Sequence, residues 1–130
     1  MNGTRRPADV ARAAMEAVQE SRRDDWLALF SADARVEDPV GHLAPIVGRE
    51  RLAEFWDLAI DPLASTCFTI TRVWEAGTEA MVLATVTAST PDTISVDYDG
   101  TFNYRVGADG LIVEMRAFWD LPDVVDALTG

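Results

Sequence analysis

Residues 93–106 read TISVDYDGTFNYRV, and their side chains alternate between apolar and polar groups. A period of two residues is typical of a β-strand that is buried on one face. One face carries the rings of Tyr98, Phe102 and Tyr104, and the opposite face carries polar residues such as Asp99. We therefore expect the aromatic face to look into the protein.

The same alternation recurs at 66–75, 79–90 and 111–120, and turn residues separate these segments. Such spacing predicts a meander of antiparallel strands joined by hairpins. In the last strand, parity places Met115 and Trp119, with Val113 and Ala117, on the inner face. It places Ile112 and Phe118 on the outer face.

The first half of the chain has apolar residues at helical spacing instead. The three predicted helices cover residues 7–21, a short segment capped by Asp24 or Asp25 that holds Trp26 to Phe30, and a segment opened by Gly48 and ended by Pro62. A brief strand at 34–38 and a loop at 39–47 lie between them, and one helical turn follows Leu121. Helices followed by a meander predict an α+β fold with three N-terminal helices packed on a strongly curved antiparallel sheet, which together enclose a cone.

The composition predicts one domain over residues 1–130, because 48% of the residues are hydrophobic and the length allows a single core. The net charge of −11 repels phosphate backbones and anionic lipid surfaces. We therefore expect neither nucleic acid nor a membrane as a partner. The chain contains no apolar run long enough to span a bilayer and no secretory signal pattern.

The single cysteine, Cys67, cannot form an internal disulfide, which suits a reducing compartment and predicts a cytoplasmic protein. Its apolar neighbours predict a buried position. No clustered His and Cys residues suggest a metal, and no glycine-rich phosphate loop suggests a nucleotide. We therefore predict no metal and no cofactor. His42 is the only histidine, and a position in an exposed loop is the simpler interpretation.

The segment at 36–41, VEDPVG, predicts the chemistry. Asp38 ends a short apolar strand and runs into Pro39, which restricts the residue before it. Apolar surroundings raise the pKa of a carboxylate toward the range of a general base. Asp38 is therefore the candidate catalytic residue. The alternative is a turn, since Asp before Pro commonly initiates one.

Large side chains on the predicted inner surface indicate a pocket for an apolar small molecule. The candidate substrate-binding residues are Phe30, Phe55 and Trp56 from the helices and Tyr98, Phe102, Tyr104, Met115 and Trp119 from the strands. The alternative for each of them is plain core packing.

Six pieces of the chain, in this order and spacing, resemble the ketosteroid isomerase branch of the NTF2-like (SnoaL-like) superfamily, whose cone-shaped fold is cystatin-like. They are residues 27–30 (LALF), 32–34 (ADA), 36–41 (VEDPVG), 48 (G), 54–56 (EFW) and 115–117 (MRA). The resemblance covers nearly the whole chain. It implies a homodimer and gives Asp38 the role of a base that moves a proton next to a carbonyl.

The chain departs from that family at the oxyanion hole. The family's tyrosine position falls on Ala14 and its acid position on Phe102, so neither donor is present. Asp99 lies nearby, but its parity places it on the outer face, unless a one-residue bulge turns it inward. The resemblance therefore implies a slow isomerase, unless Tyr98, Tyr104 or a tryptophan N–H supplies the missing hydrogen bond.

Several functions remain open at this point. The first is ketosteroid isomerase-like proton transfer in a steroid- or polyketide-like substrate. The second is non-catalytic binding of a hydrophobic molecule such as a steroid. A SnoaL-like cyclase and a purely structural role in assembly are the others.

Overall fold

The computed structural model describes residues 5–129. Its four helices are α1 Pro7–Gln19, α2 Arg23–Ala28, α3 Arg49–Phe55 and α4 Leu121–Thr129. A π-helical turn, Trp56–Ile60, continues α3. The six strands are β1 Phe30–Glu37, β2 Ile46–Val47, β3 Ser65–Ala76, β4 Glu79–Ser89, β5 Ser95–Val106 and β6 Ile112–Phe118.

The strands form one open, curved sheet in the order β2-β1-β6-β5-β4-β3. The predicted antiparallel meander is confirmed for β3 to β6. Its β3–β4 turn uses a left-handed residue, Gly77, with φ of 58°, a conformation that glycine adopts without strain. One pair of strands departs from the predicted antiparallel arrangement, since β1 runs parallel to β6, with Val36 beside Met115. Alternation within one strand reveals its faces but not the direction of its neighbour.

The helices cover the inner face of this sheet, so the α+β class is confirmed. The core between the two layers includes Phe30, Leu52 and Ile112, each with no exposed surface. The tail is more helical than predicted, since α4 has nine residues instead of one turn. The Asp120 carboxylate accepts a hydrogen bond from the Asp123 N–H at the start of this helix.

Three local predictions in the N-terminal half were wrong. The α2 helix begins at Arg23 with no side-chain cap; Asp24 and Asp25 lie in its first turn, where carboxylates favour the helix dipole. Phe30 begins β1 instead of ending α2. The predicted loop contains the two-residue strand β2, whose partner is β1.

Two predictions of which side chains are buried were also wrong. Ile112 was expected on the outer face but is buried, because the β5–β6 register shifts between Arg105 and Val106 and changes which side chains point inward. Cys67 was expected in the core but is exposed. It alternates with the half-buried Phe68, so its side chain leaves the opposite face of β3.

Candidate active site

A cavity of about 250 Å³ lies between the inner face of the sheet and the helices. Its volume is just below the range of roughly 300–1,000 Å³ that is usual for small-molecule sites. The lining is mostly apolar, and Asp38 is its one charged side chain among residues 5–129. Such a cavity suits a compact, largely hydrophobic ligand.

Seven of the nine candidate residues from the sequence line this cavity. They are Asp38, Phe55, Tyr98, Phe102, Tyr104, Met115 and Trp119.

The other two candidates, Phe30 and Trp56, do not reach the cavity. Both are buried behind Trp26, with ring centroids 4.7 Å and 5.4 Å from it, respectively. Trp26 lines the cavity in their place. Phe30 and Trp56 therefore act as core residues that support the Trp26 ring.

Sequence reasoning also missed α4, which contributes four apolar residues to the lining. They are Leu121, Val124, Val125 and Leu128. Their spacing of three and four residues is that of one helix face, and this signal was sufficient to predict a longer, amphipathic helix. The helix covers part of the cavity.

Asp38 is the first residue after β1, and the segment that follows it is tied to β6. The Val40 N–H donates to the carbonyl of Ala117 over 2.8 Å, and the Asp38–Pro39 peptide bond is cis. The side chain lines the cavity, so the exposed part of this half-buried residue opens into the cavity. The carboxylate is thus presented to whatever the cavity holds.

The indole of Trp119 donates a hydrogen bond from Nε1 to Oδ1 of Asp38 over 2.7 Å. Burial raises the pKa of Asp38 to about 6, and the indole hydrogen bond opposes that rise because it favours the charged form. An acid of this pKa is mostly ionised at neutral pH, yet it is a stronger base than an exposed aspartate. It is suited to taking up and returning a proton.

The Trp119 side chain is held in place from two sides. Tyr98 packs against it with ring centroids 5.0 Å apart. Gly100 lies directly behind it, since an added Cβ would come within 3.3 Å of the Trp119 Cβ and 3.0 Å of the Phe118 carbonyl. Glycine fits there without forcing β5 and β6 apart, whereas a Cβ would make a tight contact with both residues.

Tyr98 and Tyr104 bring two hydroxyl groups to the cavity. Burial, and then the nearby negative charge of Asp38, raises the pKa of both phenols above the ordinary tyrosine value. Both therefore keep their protons and can donate hydrogen bonds. Neither hydroxyl is hydrogen-bonded to another group within residues 5–129.

The two positions at which the family places oxyanion donors are apolar. Ala14 is buried in α1, and Phe102 meets Phe68 edge-on with ring centroids 5.9 Å apart. Asp99 does not turn inward, because its carboxylate accepts a hydrogen bond from Oγ1 of Thr85 on the outer face. The tyrosine hydroxyls are the available donors near Asp38.

His42 is exposed in the loop after Asp38 and does not line the cavity. Residues 5–129 contain no cluster of His, Cys, Asp and Glu that could hold a metal ion. Among the described helices, none has the length and apolar character needed to cross a membrane.

Comparison with protein families finds one match, in which the model described as a SnoaL-like domain covers residues 11–115. Comparison with curated proteins finds no match. The structural neighbours include the Δ5-3-ketosteroid isomerase from a Mycobacterium species, at 27% identity and a TM-score of 0.83. That match covers 89% of this chain and 94% of the other.

Another neighbour is RV0760c from Mycobacterium tuberculosis in complex with estradiol-17beta-hemisuccinate, at 26% identity and a TM-score of 0.82. That match covers 89% of this chain and 95% of the other. A putative SnoaL-like polyketide cyclase from Shewanella denitrificans has a TM-score of 0.83 at 12% identity, covering 93% of this chain and 95% of that one. At that identity it supports the fold alone.

Proposed function

The chain belongs to the family of SnoaL-like domains, and from that premise we propose that it is a ketosteroid isomerase-like protein. The reaction moves a proton alpha to the carbonyl of a small apolar molecule, steroid-like or polyketide-like, and Asp38 is the base. One observation carries the proposal: the Asp38 carboxylate opens into an apolar cavity, where burial raises its pKa to about 6.

The reaction has two steps. In the first, the free oxygen of Asp38 takes the proton from the carbon next to the carbonyl, and the electron pair moves into the carbonyl to give an enolate. In the second, the protonated Asp38 returns that proton to another carbon of the conjugated system. The Trp119 hydrogen bond holds one carboxylate oxygen and leaves the other free for the substrate.

Tyr104 and Tyr98 stabilise the enolate oxygen in this scheme. Both phenols keep their protons, and both lie near enough to Asp38 for its charge to affect their pKa. The buried Tyr104 is the stronger candidate, because hydrogen bonds to a developing charge gain strength away from water. With Ala14 and Phe102 at the family's donor positions, we expect turnover to be slow.

The test follows the enone absorbance formed from a Δ5-3-ketosteroid, the substrate class in the name of the mycobacterial neighbour. We expect Asp38→Asn to lower the rate by about 100- to 10,000-fold, the usual contribution of general acid–base catalysis. Asp99→Asn is the matched control, because it removes the same charge from the outer face of the sheet. Equal rates for wild type and Asp38→Asn would exclude Asp38 as the base.

A second candidate is a non-catalytic binding protein for a hydrophobic molecule such as a steroid. The observation in its favour is that the family's two oxyanion positions carry Ala14 and Phe102, and a structural neighbour is described in complex with a steroid derivative. Micromolar or tighter binding of the same ketosteroid without turnover would support this candidate over the enzyme. A SnoaL-like cyclase remains the other enzyme candidate.

We also propose that the protein is a homodimer that pairs through the outer face of the sheet. Trp74 and Met81 are about 40% exposed there and lie beside Asn103 in one groove. Light scattering should give the dimer mass for wild type and the monomer mass for Met81→Glu. The cytoplasmic location stays a prediction from the sequence.

A further inference from the structure

Within residues 5–129, the carboxylate in the cavity has no cation beside it. Arg35 on β1 and Arg116 on the neighbouring strand β6 ion-pair with Glu37 on the opposite face. The rest of the cavity lining contains no Lys, Arg or His among residues 5–129. Asp38 therefore has one carboxylate oxygen bound to the Trp119 indole, and the other has no partner in the described part of the chain.

Aromatic rings surround this anion. Trp119 and Tyr98 pack together at 5.0 Å beside it, and Phe102 and Tyr104 line the same cavity. The faces of such rings attract cations through their quadrupole, most strongly where water is excluded. The hydroxyl oxygens of the two tyrosines can also accept hydrogen bonds. A buried anion inside an aromatic enclosure is chemically complementary to an ammonium group on a hydrocarbon body.

We propose that the cavity binds apolar amines in their protonated form, with the ammonium group hydrogen-bonded to the free oxygen of Asp38 and packed against the rings of Trp119, Tyr98 and Tyr104. The ammonium neutralises the buried charge, and its hydrocarbon body fills the apolar remainder of the cavity. This ligand class goes beyond the neutral carbonyl compounds of the proposed isomerase. It uses the same site but does not require turnover.

The net charge of the whole chain supports the same ligand class. At −11 the protein raises the local concentration of cations and lowers that of anions. This long-range effect is sensitive to salt, whereas a contact inside the cavity is screened much less. The two contributions can therefore be separated experimentally.

The experiment compares three probes of one shape: adamantan-1-amine, adamantan-1-ol and adamantane-1-carboxylate. Calorimetry with the wild-type protein near neutral pH should show the amine binding tighter than the alcohol by on the order of ten- to a hundredfold, since a hydrogen bond to a charged group is the stronger kind. The carboxylate should bind weakest. An alcohol that binds as tightly as the amine, or no binding of either, would overturn the proposal.

Two variants locate the origin of the preference. Asp38→Asn keeps the shape of the side chain and should abolish the preference for the amine, while the affinity for the alcohol stays within a few-fold. Asp99→Asn removes one negative charge from the outer face, where Thr85 binds it, and should leave the preference intact. A preference that survives in Asp38→Asn would come from the overall charge and would overturn the assignment to the cavity.

The pH dependence is a separate readout. Asp38, just after β1, and the phenols Tyr98 and Tyr104 on β5 are the titratable side chains that face this cavity within residues 5–129; α1, α2, α3, the π-helical turn, β3, β4, β6 and α4 add none. The amine stays protonated throughout, as alkylamines do below a pKa of about 10. Its affinity should therefore fall as the pH drops through about 6, where Asp38 gains its proton, while the affinity of the alcohol stays level.

A flat pH profile for the amine would overturn the proposal. Failure of the amine-binding proposal is distinguishable from failure of the proposed isomerase function. Asp38-dependent turnover without amine preference removes only this inference. Amine preference without turnover removes only the enzyme.

Discussion

Polar groups on the two faces of the sheet have opposite environments. Glu37 and Asp38, two neighbouring acids at the end of β1, show the difference. On the outer face, burial raises the pKa of Glu37, but hydrogen bonds and charge from Arg116 and Arg35 outweigh it and leave that pKa lowered. On the inner face, Asp38 meets no cation from residues 5–129, and burial raises its pKa to about 6.

The hydroxyl groups differ in the same way. Thr85 and Thr87 on the outer face donate to Asp99 and Asp97, over 2.6 Å and 2.7 Å. The cavity hydroxyls of Tyr98 and Tyr104 have no such partners within residues 5–129. These outer-face groups satisfy one another, whereas the two cavity hydroxyls keep their hydrogen-bonding capacity unused within the described residues. Alternation along a strand thus separates structural from chemically available groups.

The contrast between the two faces can be tested by removing one hydroxyl from each. The largest expected effect is on the turnover rate. We expect Tyr104→Phe to lower the isomerase rate by about 100-fold, the usual cost of one oxyanion donor, because it removes a free hydroxyl beside the reacting carbonyl. Thr85→Val removes a hydroxyl from the outer face and should leave the rate unchanged. The measurement is the ketosteroid assay at saturating substrate.

Tyr98→Phe serves as a comparison inside the cavity, and we expect a smaller loss because Tyr98 is only partly buried. Phenylalanine keeps the contact with Trp119, so Asp38 stays oriented. If Tyr104→Phe were as active as wild type and Thr85→Val were not, the inner-face hydroxyl would have no catalytic role.

The sequence predicts most of the fold because alternation is a local signal. Strands β3 to β6 follow from period two and from the turns between them. The parallel pairing of β1 with β6 was missed because residues 34–38 and 111–120 are far apart in sequence and share no hairpin. The burial of Ile112 was missed because it depends on a register shift between two strands, which neither strand encodes alone.

The candidate site, like the fold, is predicted by the sequence only in part. Parity at 36–41 predicts that Glu37 and Asp38 leave opposite faces, and the structure has them on opposite faces. Whether an aromatic residue lines the cavity or supports one that does depends on packing between elements. Trp26 therefore lines the cavity, whereas the sequence predicted Phe30 and Trp56 for that role. That no cation among the described residues lies near Asp38 is likewise a property of the assembled fold.

The next effect concerns stability and has a defined sign. Raising the pKa of Asp38 from 3.8 to about 6 on folding makes the folded protein bind more protons than the unfolded chain between those values. Stability therefore falls as the pH rises through that window and stays reduced above it. Asp38→Asn lacks this penalty. We expect it to be more stable than wild type at about pH 8 by at most about 3 kcal/mol, at 1.36 kcal/mol per pKa unit.

Urea unfolding at about pH 8 and below about pH 4 measures this difference. The advantage of Asp38→Asn should vanish at the lower pH, where wild-type Asp38 is protonated in both states. An equal advantage at both pH values would mean that amide packing, not the buried charge, is the cause.

The smallest expected effect is a change in stability of the opposite sign, at Glu37 on the outer face. The pKa of Glu37 is lowered in the folded state by Arg116 and Arg35, so its contribution to stability is present above the ordinary glutamate value of 4.5 and is lost as the pH falls through the lowered pKa. Glu37→Gln should therefore be slightly less stable than wild type at neutral pH. The difference should shrink in high salt, because salt screens exposed pairs. Urea unfolding at two salt concentrations tests this, and a gain in stability like that expected for Asp38→Asn would contradict the assignment of these neighbouring acids to different environments.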